Sequence, residues 1–289
     1  MNFHMNCGPV VFLLRDFYDK KPFSTWQWKL EPFRSDSASD QFKEIDFNEV
    51  SVDTKNATLV STQKSGFYTR EVLKTDAGII HRLVQNINNE AVLAFYEDSV
   101  KNITLLEDTT NTNGQAAFEY LSRMVVHSML DSSVLTFHGV LMEHNGKGII
   151  ITAPSETGKT THARLWRDER NALIINGDNA CCYNKNGVWT GFGIPWSGTS
   201  GEQINRSVEI AAIVVLERAD YNKATPLSEY DAFCKIQPLI HYPAWDMKKT
   251  EKAVELCDNI IKDIPVFRLE CLPNKGAVDA LYEALEDVL

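Results

Sequence analysis

Gly148-Ile149-Ile150-Ile151-Thr152-Ala153-Pro154-Ser155-Glu156-Thr157-Gly158-Lys159-Thr160-Thr161 is the stretch on which the reading of this chain turns. The isoleucine run predicts a buried strand, the following six residues a tight loop, and Lys159 onward the first turn of a helix. Order and residue types match a phosphate-binding loop, with Ala153 in the place of the first glycine. In such a loop, backbone N–H groups and the helix N-terminus converge on phosphate oxygens, aided by the helix dipole. Gly158 lets the backbone approach a nucleotide with no Cβ in the way. Residues Ala153, Pro154, Ser155, Glu156, Thr157, Gly158, Lys159, Thr160 and Thr161 are thus the expected nucleotide cradle. Lys159 would place its ammonium on the β and γ phosphates, and the Thr160 hydroxyl would ligate Mg²⁺.

A magnesium–nucleotide site also needs a carboxylate beyond the loop, to hold the metal or to take a proton. The next apolar run, Leu173-Ile174-Ile175-Asn176-Gly177-Asp178-Asn179, ends on one. The interval from Lys159 to Asp178 leaves room for one helix and a return strand. Two phosphate-loop classes drop out. A GTPase base reader needs Asp two places after Asn-Lys, and neither Asn184-Lys185 nor Asn274-Lys275 has it. Ser200-Gly201-Glu202-Gln203 is faintly like an ABC-transporter signature loop, but it follows Asp178 instead of preceding the metal-binding Asp.

Around this segment, strand and helix signals alternate from Val134 onward. Strands are expected at Val134–Met142, Gly148–Ala153, Ala172–Ile175, Glu209–Leu216 and Val266–Cys271, with a hairpin over Tyr183–Phe192. Helices are expected near 159–168, 246–263 and 274–287, and an amphipathic one over 115–131. This is an α/β domain, assigned to residues 113–289. Residues 1–112 carry short β-type runs such as Ala57–Ser61, Gly78–Leu83 and Ala91–Tyr96 between Asn-, Asp- and Gly-rich turns, and read as a small β-rich domain with no chemical motif.

The second half resembles the C-terminal domain of HPr kinase/phosphorylase and its relatives of the phosphoenolpyruvate carboxykinase-like fold. His138-Gly139-Val140 stands two strands before the loop, as in HPr kinases, and Gly177-Asp178-Asn179 stands where these families carry an adjacent Asp pair. Pro195-Trp196-Ser197-Gly198-Thr199-Ser200-Gly201, Asn205-Arg206-Ser207 and Val214-Val215-Leu216-Glu217 are similar to a subgroup found beside peptide natural-product maturation enzymes. Leu272-Pro273-Asn274-Lys275-Gly276-Ala277-Val278 resembles the last family loop and helix. The resemblance implies an α/β, mixed-sheet P-loop kinase domain behind a β-rich N-terminal domain. It implies transfer of the γ-phosphoryl group from Mg-ATP to a serine or threonine hydroxyl of a peptide or small protein, a ribosomally made precursor being the specific expectation. Carried over by residue, Lys159 would hold the γ-phosphate, Thr160 and Asp178 the Mg²⁺, and Asp178 would accept the hydroxyl proton. His138 would flank the transferred phosphate or orient Asp178, and Arg206 would neutralise transition-state charge. Arg218 is the nearest candidate for a further active-site arginine, the N-terminal domain would recognise or regulate, and a homo-oligomer would follow the family habit. The departure at Asn179 keeps a non-catalytic nucleotide-binding sensor or scaffold as an alternative, beside a kinase for free serine or another small metabolite.

The composition sets the remaining bounds. The chain has 289 residues, 44% hydrophobic and 24% charged, with a net charge of −10. Such an acidic chain repels phosphate backbones and anionic lipids, which argues against nucleic-acid and membrane partners. Its longest apolar runs are strand-sized, below the about 20 residues a membrane-spanning helix needs. The N-terminus shows no signal-peptide pattern, so a cytoplasmic location is expected. Cysteines 7, 181, 182, 234, 257 and 271 show no zinc or redox spacing and are expected to be buried thiols, Cys181 and Cys182 facing opposite sides of a strand.

Overall fold

Residues 2–16, 26–36, 42–47, 56–100, 102–112 and 114–289 are described by the computed structural model. The chain divides into one unit of Met1–Asn6 with Val10–Ser128 and another of Cys7–Pro9 with Met129–Leu289. The expected boundary at 112/113 abuts Asn113, which lies outside the described residues.

The first unit is built on one eight-stranded sheet. Its strands are β1 (Phe3–Cys7), β2 (Val10–Leu14), β3 (Phe42–Asp46), β4 (Thr58–Ser65), β5 (Tyr68–Lys74), β6 (Gly78–Gln85), β7 (Glu90–Asp98) and β8 (Ile103–Asp108), in the order β1-β2-β3-β8-β7-β6-β5-β4. Strands β4 to β8 pair antiparallel, whereas β3 runs parallel to both β2 and β8. A short helix α1 (Gln27–Leu30) and a long helix α2 (Gln115–Met129) accompany the sheet. The α2 stripe Phe118, Leu121, Met124 and Val125 is buried. Phe118 stacks on Trp26 at 4.7 Å, and Tyr120 on Phe95 of β7 at 6.1 Å. Its apolar face thus completes the core of this unit, and α2 groups with the first unit although the sequence reading opens the second domain with it.

The second unit alternates strands and helices. They are β9 (Leu135–His144), β10 (Lys147–Thr152), α3 (Lys159–Arg170), β11 (Leu173–Asn176), β12 (Asn179–Lys185), β13 (Val188–Phe192), β14 (Ser207–Arg218), β15 (Lys223–Pro226), α4 (Glu229–Ile236), α5 (Met247–Asp263), β16 (Val266–Cys271) and α6 (Lys275–Ala284). The sheet order is β10-β9-β12-β13-β14-β16-β15, with β11 on β9. Strand β10 pairs antiparallel with β9 and parallel with β14, so the pairings close a circuit through β9, β12, β13, β14 and back to β10. The fold is mixed α/β, as the alternation predicts.

Strand alternation splits the isoleucine run between two cores. Ile150 joins Ile213, Val215 and the α4 and α5 residues Ile236, Cys257 and Ile260 on one face. Ile149 and Ile151 join Val214, Leu216, Trp166 of α3 and Leu281 of α6 on the other. Each such fully buried side chain contributes about 1.5–3 kcal/mol of hydrophobic stabilisation. This two-sided burial explains why β10 reads as a continuous apolar run, and it anchors the strand that leads into the loop between helices on both faces. Cys181 and Cys182 are both buried on adjacent strand positions, as expected; Cys234, on the short helix α4, is exposed. No helix among the described residues is long and apolar enough to cross a membrane.

One buried titratable group in this core carries a stability prediction. His162 on α3 is 3% exposed and accepts a hydrogen bond at Nε2 from Trp166 Nε1 at 3.2 Å. Burial pushes its pKa down from 6.5 to about 4. Between those values the unfolded chain binds a proton that the folded chain refuses. The neutral ring's contribution is therefore fully present above the unfolded pKa and is lost as pH falls through the folded one. The gap corresponds to about 3 kcal/mol. His162→Gln keeps an acceptor for Trp166 without titrating, and should flatten the acid-side slope of stability between pH 6.5 and 4 in denaturant titrations; an unchanged slope would assign it to other groups.

Candidate functional site

The loop after β10 is shaped by two residues with positive φ, Glu156 at 63° and Gly158 at 117°. Gly158 is the N-cap of α3 and brings no side-chain cap. Helices α4, α5 and α6 are capped by Ser228, Asp246 and Asn274, whose side chains accept from first-turn amides. At α3 those amides stay available for an anion, which the helix dipole also favours. Thr157 closes the loop on itself, its hydroxyl donating to the Pro154 carbonyl at 2.8 Å.

Lys159 is 7% exposed, and its Nζ donates to the carbonyls of Ala153 at 2.9 Å and Pro154 at 3.0 Å. It also lies 3.1 Å from His138 Nε2, while Ser155 Oγ lies 3.2 Å from the same nitrogen. An ammonium only donates, so Nε2 accepts and the ring proton sits on Nδ1. Nδ1 faces Asp178 Oδ1 at 3.6 Å, longer than a hydrogen bond. One imidazole thus stands between the loop lysine and the carboxylate. Burial and then the Lys159 charge push the His138 pKa below its ordinary value, with Asp178 opposing. Burial lowers the Lys159 pKa as well, again opposed by Asp178.

Backbone pairing sets this geometry. Thr152, the last residue of β10, lies opposite Gly139 on β9, so His138 falls beside the loop. Asn179 at the start of β12 lies opposite His138, which brings Asp178 to the same end of the sheet. The Asp178 turn is held by Asn176, which is fully buried. Asn176 Oδ1 accepts from the amides of Asp178 and Asn179, and its Nδ2 donates to the carbonyls of Ile194 and Trp196. Asn179 is turned inward, donating to Trp196 O at 3.2 Å and to Asp178 Oδ2 at 3.3 Å. Asp178 keeps its side chain 34% exposed.

The segment Ser197–Gln203 forms a lip over this carboxylate. Gly198 has φ 55°, and a Cβ there would lie 2.7 Å from Asp178 Cγ, so only glycine lets the backbone pass so close. Glu202 ties the lip to the loop helix by accepting from Arg164 and Arg167 of α3. On the far side of His138, His241 packs edge-on at 5.7 Å.

The two arginines part company. Arg206 forms a two-pronged ion pair with Glu143, near the end of β9 remote from His138. Val215 of β14 lies opposite Thr152, which leaves Arg206, just before Ser207, about 30 Å away along the strand. Arg218, at the other end of β14, reaches the loop and donates to the carbonyls of Glu156 and Thr157. With Leu216, Glu217 and loop residues 154–157 it lines a cleft of about 440 Å³. Lys159, Ser155, His138 and Asp178 are therefore brought together, Thr160 and Thr161 lie in the first turn of α3, and Arg206 is not brought to them. Sequence reasoning gave no role to Asn176, Gly198 or His241, although the Asn-Gly-Asp-Asn run and the Pro195–Gly201 segment carry a signal for the first two.

A solved structure similar to this chain is the Hpr(Ser) kinase/phosphatase from Coxiella burnetii, at 14% identity and a TM-score of 0.31, covering 53% of this chain and 95% of that one. No curated protein matches. The family model described as SynChlorMet cassette protein ScmC matches residues 104–276, more than half of the sequence and all of the site described above. The chain belongs to the ScmC family.

Proposed function

We propose that this protein is a kinase that transfers the γ-phosphoryl group of Mg-ATP to a serine or threonine hydroxyl of a peptide or small protein, a ribosomally made precursor being the specific acceptor. The observation that carries the reading is the His138 ring, with the loop ammonium at Nε2 and the Asp178 carboxylate at Nδ1. A nucleotide on the loop would draw Lys159 onto its phosphates and place the terminal phosphoryl group toward Asp178. Asp178 would take the acceptor proton, the hydroxyl oxygen would form the new bond to phosphorus, and the bond to the leaving ADP oxygen would break. Mg²⁺ keeps several waters and uses few protein ligands, so Asp178 and Thr160 with the phosphates fit its needs; bound there, it would neutralise developing charge. Residues of the first unit would recognise the acceptor. When the pure protein is incubated with γ-labelled ATP, Mg²⁺ and the small peptides encoded beside the gene, label should appear on a peptide serine or threonine. The buried, donating Asn179 favours one second reading, a nucleotide sensor without turnover. Tight ATP binding with no transfer to peptide, serine or water would select it.

Arg218 belongs to the same proposal. A non-glycine residue at positive φ is strained by about 1–3 kcal/mol, and the Arg218 fork on the Glu156 and Thr157 carbonyls holds that conformation. Arg218→Ala should raise the KM for ATP about 3- to 10-fold with kcat little changed, in line with one lost charged hydrogen-bond donor. Adding Glu156→Gly, which removes the strain, should recover part of the loss. A fall in kcat alone would instead place Arg218 in the chemical step.

A further inference from the structure

Among the described residues the other arginines lie against carboxylates, apart from Arg218, which grips loop carbonyls. Arg70 and Arg123 of the first unit are different: the side chain of neither meets a carboxylate or carbonyl of a described residue, and the two are neighbours. The sheet register and helix spacing place them on the same side of the sheet. Arg70 on β5 lies opposite Leu83 on β6, and Leu83 opposite Leu93 on β7. Residues facing each other across adjacent strands share one side of a sheet, as do positions two apart on a strand. Arg70 therefore projects from the same side as Phe95, whose ring stacks on Tyr120 of α2. Arg123 follows Tyr120 by three residues, on the same helix face.

We propose that Arg70 and Arg123 form a binding site for an oxyanion, a carboxylate or a phosphate, on the first unit. Two planar guanidinium forks set on the same side of the sheet suit the bidentate geometry of either group. Arg123 reaches the surface and Arg70 is partly exposed, so a ligand can enter. In a chain of net charge −10 the pair is a local positive exception. Burial, and then the Arg70 charge, hold Arg123 below the usual arginine range, and burial pushes Tyr120 up to about 12 against the pull of both arginines. The two like charges thus repel each other, and an anion bound between them would relieve that repulsion.

The test uses the full chain and two probes, inorganic phosphate and an N-acetylated Asp-Glu dipeptide amide, titrated calorimetrically into wild type, Arg70→Gln, Arg123→Gln and, as a control for the phosphate loop, Lys159→Met. Saturable binding of at least one probe is expected, weakened about tenfold or more by either arginine change and retained in Lys159→Met. Both arginine variants should also melt higher than wild type in anion-free buffer, because repulsion is relieved, which a purely structural arginine would not show. Arg70→Lys and Arg123→Lys, which keep the charge but lose the fork, should bind with intermediate affinity. Dipeptide binding identifies a peptide carboxylate as the source, and binding of phosphate alone a phosphate group. Absence of saturable binding, binding that survives both glutamine variants, or binding lost only in Lys159→Met overturns the proposal.

Discussion

ATP binding should collapse in Lys159→Met while the fold survives. The methionine keeps most of the buried stem of Lys159, so the wall it forms under the loop stays filled. What disappears is the ammonium that now donates to Ala153 O, Pro154 O and His138 Nε2. Burial already disfavours that charge, so the folded chain loses little by giving it up, and the melting temperature should move by only a few degrees. A nucleotide bound as proposed would, in contrast, lose the loop ammonium from its terminal phosphates. The expected cost is on the order of 10²–10³-fold in kcat/KM for Mg-ATP, the scale of removing one preorganised donor from a site of developing negative charge. A second readout is independent of turnover. The Lys159 charge pushes the His138 pKa down, so in Lys159→Met the His138 resonance should titrate at higher pH than in wild type. ATP affinity equal to wild type would remove Lys159 from the site; an unmoved His138 titration would show that the ring and the ammonium are not coupled.

The parts of this site that can be read from sequence are those built by neighbours in the chain. Strand β10, its loop and α3 follow one another directly, and each has its own signal: the isoleucine run, the glycine before a lysine, the start of helical periodicity. Helices α5 and α6 were legible for the same reason, each with an apolar stripe and a capping residue, Asp246 or Asn274, at its start. The eight-residue helix α4 was missed, because only Ala232 and Ile236 are buried and two positions make no stripe. In the first unit, the parallel pairing of β3 with β2 and β8 joins segments far apart in sequence, with no hairpin turn to announce it. The two arginines show the same limit inside the site. Arg206 and Arg218 bracket one strand, and nothing local says which end of β14 meets the loop. Only the parallel register that sets Thr152 against Val215 decides for Arg218. Asn176 could be read as an ordinary turn residue; its role is visible once its amide is seen buried between two backbone segments.

Asp178→Asn is the sharper test of chemistry, because it leaves the architecture of the turn alone. The turn is held by Asn176 and by the Asp178 carbonyl, which accepts from the Gly139 amide at 2.9 Å. None of those bonds uses the Asp178 carboxylate, and the amide of asparagine has the same shape beneath the Gly198 lip. The substitution therefore removes a negative charge and a proton acceptor, while the new amide oxygen can still accept the bond that Asn179 Nδ2 donates to Asp178 Oδ2. If Asp178 takes the acceptor proton, kcat should fall by about 10²-fold or more, while nucleotide affinity, set by the loop amides and Lys159, changes far less. The electrostatics predict a companion shift opposite in sign to that of the lysine variant. Asp178 raises the pKa values of both His138 and Lys159, so its neutralisation should move the His138 titration to lower pH. Asn179 cannot substitute as the base, since its side-chain amide already donates to Trp196 O and has no carboxylate to offer. Full phosphoryl transfer in Asp178→Asn together with a lowered His138 titration would mean that the carboxylate tunes the ring without taking the proton. An unmoved titration with kcat lost would make Asp178 the base and leave His138 outside its field.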